Sequence, residues 1–94
     1  MTVPGVAVWG LGLHARKRII PALLSMEELS LVGVCSRNQK SVDECALELD
    51  CLGWTDHMDM LENDIVDIVY ISAPIGVHAN LAILALKSRK HVWC

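Results

Sequence analysis

The sequence predicts an α/β domain built on a parallel sheet, on three observations. Short apolar runs, rich in β-branched residues, recur along the chain. Segments of helical period separate them, and a glycine-rich turn directly follows the first run. At 94 residues the chain is expected to be one domain, residues 1–94, with a modest core. Strands that alternate with helices imply parallel βαβ units with right-handed crossovers. The expected architecture is a doubly wound sheet in three layers, α/β/α, incomplete at about five strands.

Val6-Ala7-Val8-Trp9, ended by Gly10, has the continuous apolar character of a strand buried on both faces, and is the first strand. Residues 13–26 place Ile19, Ile20, Leu23 and Leu24 on one helical face, with Arg16, Lys17 and Arg18 between them and the preceding turn. Pro21 lies inside that helix, where a missing N–H and a bulky ring predict a bend. Leu31-Val32-Gly33-Val34-Cys35 is the second strand, stopped by Ser36-Arg37-Asn38. Ser41 and Glu44 match a capping box and predict a helix over residues 41–49. Residues 53–55 are expected to form a short third strand and residues 56–61 a short helix. Asp67-Ile68-Val69-Tyr70-Ile71-Ser72 is a strong fourth strand, stopped by Ala73-Pro74. A helix over residues 76–88, basic in its last turn, leads to a fifth strand at His91-Val92-Trp93.

Composition narrows the function classes. The apolar fraction is 53% and the charged fraction 20%, more hydrophobic material than a small isolated domain needs, so part of it is expected to face a partner. A net charge of −3 argues against nucleic acid or an anionic membrane as a general partner. Cys35, Cys45, Cys51 and Cys94 lack the spacing of zinc ligands and read as reduced thiols, with no metal site expected. Met1-Thr2-Val3-Pro4 lacks the basic start of a secretory signal, and the apolar run over residues 64–73 falls short of the roughly 20 residues a membrane span needs. A cytoplasmic, soluble protein is expected.

The chemistry lies in Gly10-Leu11-Gly12-Leu13-His14-Ala15, which fits G-x-G-x-x-G/A between a buried strand and a helix. In that setting Gly10 permits the tight turn and Gly12 lets a pyrophosphate approach the backbone. Ala15 is small enough for the helix to pack close to the strand. The amides of Leu13 and His14, at the positive end of the helix dipole, are then aimed at phosphate oxygens. A dinucleotide is the expected ligand. About 20 residues on, where an NAD site places a carboxylate on the ribose hydroxyls, the chain has Ser36 and Arg37. A hydroxyl and a guanidinium bind a 2′-phosphate that a carboxylate would repel, so NADP is expected over NAD, with Lys40 as a further charge. Ser36 as a turn cap and Arg37 as solvated surface is the plainer alternative. Ala73, Pro74 and His78 belong to the same carboxyl edge of the sheet and are expected beside the cofactor. Trp9 reads as core, and Arg16 as rim.

Taken together these residues resemble the N-terminal domain of the Gfo/Idh/MocA family of oxidoreductases. The likeness runs over Val6 to Ala15, Val34 to Asn38, Asp67 to Pro74 with His78, and Ala85-Leu86 with Lys90-His91-Val92. The last block is the most specific, since D-x-V-x-I-x-x-P-x-x-x-H followed by A-L-x-x-x-K-H-V is the family's pattern. Ile75 departs from it, standing where Asn is common. The resemblance implies hydride transfer between NAD(P) and a carbinol or carbonyl carbon of a sugar or polyol. It also implies that the family's Glu-Lys-Pro segment with its catalytic lysine, and the substrate domain, would follow Cys94. No catalytic residue is nominated, and the chain alone is expected to be inactive. Val92 and Trp93 would form an exposed apolar edge that invites self-association.

Two other functions remain open from the residues alone. One is a non-catalytic nucleotide-binding or interaction module. The other is a class I methyltransferase, which uses a similar glycine turn but usually wants an acidic residue where Ser36 and Arg37 stand.

Overall fold

The structure is a computed structural model describing residues 3–72 and 75–93, with backbone alone over residues 75–79. Its strands are β1 (Gly5–Trp9), β2 (Ser30–Cys35), β3 (Leu52–Trp54), β4 (Ile68–Ile71) and β5 (His91–Trp93). All pair in parallel, in the order β3-β2-β1-β4-β5. The chain thus steps outward from β1 to β3, returns to place β4 beside β1, and steps outward again to β5. This is the predicted doubly wound topology, with its reversal between β1 and β4.

β1 is buried along its whole length because helices cover both faces of the sheet. Val6 and Val8 point to one face, where they join Ile20 and Leu23 of α1 (Ile20–Leu24) and Val42 and Cys45 of α2 (Gln39–Leu49). Ala7 and Trp9 point to the other, against Met60 and Leu61 of α3 (His57–Glu62) and Ala85 of α4 (Ile75–Lys87).

Two local expectations are corrected. The helix after the glycine turn is not simply bent at Pro21. It opens with a π-helical turn, Ala15–Ile19, in which the Ile20 N–H reaches back five residues to the Ala15 carbonyl. In regular α-geometry the Pro21 ring would press on the Lys17 carbonyl and leave it unpaired. The wider turn resets the register, so that Pro21 falls in the first turn of α1, where a missing N–H costs little. Helix α1 then ends at Leu24. The second correction concerns α2, which begins at Gln39 because Asn38, not Ser41, is its cap. The Asn38 side-chain oxygen accepts the Ser41 N–H at 3.0 Å, which places Ser41 inside the first turn.

The opposite, amino-terminal edge is tied by Asp67. Its carboxylate accepts the Gly5 N–H at 2.8 Å, while its own N–H donates to the Gly5 carbonyl. The His91 N–H donates to the Asp67 carbonyl at 3.0 Å, and the Lys90 ammonium to the Asn63 carbonyl at 3.0 Å. The aspartate that opens the D-x-V-x-I pattern therefore holds the starts of β1, β4 and β5 together, far from the glycine turn.

Candidate functional site

Connections from β1 and β4 leave the carboxyl edge toward opposite faces of the sheet, and the crevice between such loops is where open α/β sheets bind ligands. Gly10 opens the first of these loops at φ 106°, a conformation that side chains disfavour, and donates its N–H to the Cys35 carbonyl at 2.8 Å. That bond locks the turn against the end of β2. At Gly12 an added Cβ would meet nothing within 4 Å, so the backbone faces open space. The Arg16 N–H bonds to the Gly12 carbonyl at 3.1 Å and starts the helix there. Leu13 and His14 lie in its exposed first residues, with Leu13 at 69% exposure, and Ala15 is fully buried in the core beneath. The arrangement combines a bare backbone at Gly12, amides at a helix start, and a small residue that lets the helix sit close, the features a phosphate-binding turn requires.

A further loop at this edge begins where β2 ends. The Ser36 N–H donates to the Trp54 carbonyl at 3.2 Å, and its hydroxyl oxygen accepts the Asn38 N–H at 3.2 Å. The hydroxyl proton keeps its freedom to be donated outward. Arg37 and Lys40 are exposed beside the start of α2. Ser36 is thus both a turn cap and an available donor, so the plainer reading and the ligand reading are compatible. Arg16 turns instead toward Glu44, at 3.8 Å, on the rim. Ala73 and Pro74 lie outside the described residues. His78 falls in the first turn of α4, its side chain outside them as well.

Under the edge, one row of residues closes the sheet: Trp9 is in register with Ile71 on one side and Cys35 on the other, and Cys35 with Trp54. Burial pushes the Cys35 thiol up to about 12, assisted by the negative charges of Asp56 and Asp59. It is a core thiol, protonated at neutral pH, and no nucleophile. The Trp9 ring stacks on the imidazole of His57, with centroids 5.2 Å apart and planes at 17°. His57 is the first residue of α3, capped by the Asp56 carboxylate, which accepts the Met58 N–H at 2.9 Å. Sequence reading does not single out His57. The available signal is topological: the loop after the third strand reaches the same edge as the glycine turn.

Hollows also lie around the sheet. A cavity of about 680 Å³ opens at the amino-terminal edge around Pro4, Asp67, Ile68, Lys90 and Trp93, and one of about 310 Å³ lies between the π-helical turn and α2. Among the described residues no group of histidine, cysteine or carboxylate side chains is arranged to hold a metal ion. No helix among them is long and apolar enough to cross a membrane.

Fold and edge together define a dinucleotide-binding Rossmann domain. The model of a family described as "Oxidoreductase family, NAD-binding Rossmann fold" (GFO_IDH_MocA) matches residues 5–94, and the chain belongs to that family. Among curated relatives, dTDP-3,4-didehydro-2,6-dideoxy-α-D-glucose 3-reductase of Saccharopolyspora spinosa is 31% identical over 87 residues, covering 93% of this chain and 26% of the relative. The NADP(+) scyllo-inositol 2-dehydrogenase of Bacillus subtilis is 30% identical over 78 residues, covering 82% and 24%. Among solved structures, the 3-ketoreductase KijD10 of Actinomadura kijaniata, in complex with NADP and TDP-benzene, superposes with a TM-score of 0.91 at 27% identity. That match covers 97% of this chain and 28% of the other. The chain therefore spans about a quarter of the length of the relatives it matches. Membership of this family replaces the methyltransferase reading.

Proposed function

We propose that this chain binds NADP(H) in preference to NAD(H) and supplies the cofactor-binding half of a reductase or dehydrogenase for a sugar-like substrate. The pyrophosphate lies over Gly10, Gly12 and Ala15 and accepts hydrogen bonds from the amides of Leu13 and His14. Ser36 and Arg37 hold the 2′-phosphate, and Ala73, Pro74 and His78 are further cofactor-binding residues. When bound, the nicotinamide gives or takes a hydride at a carbonyl or carbinol carbon.

One observation carries this reading. The backbone at Gly12 faces open space, and the end of β2 beside it presents Ser36 and Arg37 in place of a carboxylate. The relatives named above as an NADP(+) dehydrogenase and a dideoxyglucose 3-reductase support both cofactor and substrate class.

The domain works in the cytoplasm, together with a substrate domain that selects the sugar-like compound. By itself it self-associates through β5, an edge strand whose Trp93 is 38% exposed. Calorimetric titration with NADPH and with NADH tests the cofactor reading, with tighter binding of NADPH expected. Equal affinities would remove the preference, and binding of neither would remove the cofactor reading for this chain.

A further inference from the structure

We infer that the imidazole of His57, held flat by Trp9, is a wall of the pocket that receives the adenine ring. The inference rests on the dinucleotide reading above and assigns a binding residue that the glycine motif does not include.

The placement follows from topology. With the pyrophosphate at the glycine turn and the 2′-phosphate at Ser36 and Arg37, the adenosine half spans the carboxyl ends of β1 and β2. The loop after β3 ends at the same edge, because Cys35 is in register with Trp54 and the Ser36 N–H bonds to the Trp54 carbonyl. Three residues beyond Trp54, His57 lies back over Trp9, the residue directly before Gly10.

Burial separates the roles of the two rings. Trp9 is 9% exposed, so its ring is a floor that a ligand does not reach. His57 is half-buried, with one face on Trp9 and part of its surface exposed. A planar heteroaromatic ring fixed in one orientation is a stacking platform that needs no reordering on binding. Neither Asp56 nor Asp59 is needed for the contact, and Asp56 is engaged at the start of α3.

The test compares ADP with inorganic pyrophosphate, which lacks the base, by calorimetry on the full chain and on two variants. Loss of a base–aromatic stack costs about tenfold in affinity. His57→Ala is therefore expected to weaken ADP about tenfold while leaving pyrophosphate unchanged. His57→Phe, which keeps a flat ring on Trp9, should stay within about twofold of the parent for both ligands. Thermal melts without ligand separate a binding role from a structural one, since His57→Phe keeps the platform in either case. Equal losses of ADP and pyrophosphate in His57→Ala, or full ADP affinity in that variant, would overturn the assignment and leave the dinucleotide reading standing. A parent chain that binds NADPH but not ADP would overturn it too, and one that binds neither removes the reading beneath it.

Discussion

Reversing the charge at Arg37 probes the proposed cofactor preference most directly. Arg37 is exposed, so its charge-assisted hydrogen bond to a 2′-phosphate belongs at the low end of the usual range, about 1.5 kcal/mol, or roughly tenfold in affinity. In Arg37→Glu the new carboxylate also repels the phosphate. At roughly 6 Å in water each unit charge contributes about 0.7 kcal/mol, and a phosphate carries about −1.5 to −2. Salt screening roughly halves that repulsion at physiological ionic strength. The expected loss of NADPH affinity is thus about 30-fold to 40-fold at physiological ionic strength, rising to about 100-fold at low salt. NADH should change by no more than about twofold, because a carboxylate at this position accepts bonds from ribose hydroxyls. Calorimetric titration of both cofactors at two salt concentrations measures the difference. Equal losses for NADPH and NADH, or a loss independent of salt, would refute the assignment of Arg37 to the 2′-phosphate.

Three further outcomes are expected. Gly12→Val should leave the melting temperature of the free chain nearly unchanged, since its Cβ enters open space, yet abolish NADPH binding by filling that space; Gly10→Val, at φ 106°, should lower stability by roughly 1–3 kcal/mol as well. Thermal melts beside titrations distinguish the two. Asp67→Ala should destabilise the chain by roughly 1–2 kcal/mol through loss of the bond from Gly5, without altering intrinsic cofactor affinity, because Asp67 ties the opposite edge of the sheet. Cys35 should make stability fall at high pH. Burial pushes its thiol up from the ordinary 9.0 to about 12 in the folded chain, so its contribution is complete below pH 9 and is lost as pH rises toward 12. Denaturation midpoints measured from pH 8 to 11 should fall less steeply in Cys35→Ala, and identical slopes would contradict the assignment.

Much of the candidate site is legible in the sequence, because its parts are local. Gly10, Gly12 and Ala15 are separated by fixed short spacings, and the apolar runs on either side of them state which neighbours are strand and which are helix. Ser36 and Arg37 are readable for the same reason, as the residues that stop a buried strand. The cap of α2 is not, because Ser41 and Asn38 both suit a helix start, and only the backbone decides which side chain reaches a free N–H. At Pro21 the sequence announces a disturbance without its form. A bend or a wider turn each relieves the clash, and the packing of Ala15, Ile20 and Leu23 against the sheet selects the π-helical turn.

By itself, then, the sequence determined the class of fold, the order of strands and helices, and the ligand class of the first turn, since periodicity and short spacings encode all three. Tertiary structure alone decided what lies beneath that turn. Trp9 and His57 are 48 positions apart and meet only because β3 ends in register with β2, which brings the start of α3 over β1. The function of Asp67 was equally invisible, because a carboxylate becomes a clamp for β1 only after the sheet has placed the Gly5 N–H 2.8 Å from it. Contacts of that kind depend on register, and register is set by the burial of both sheet faces at once.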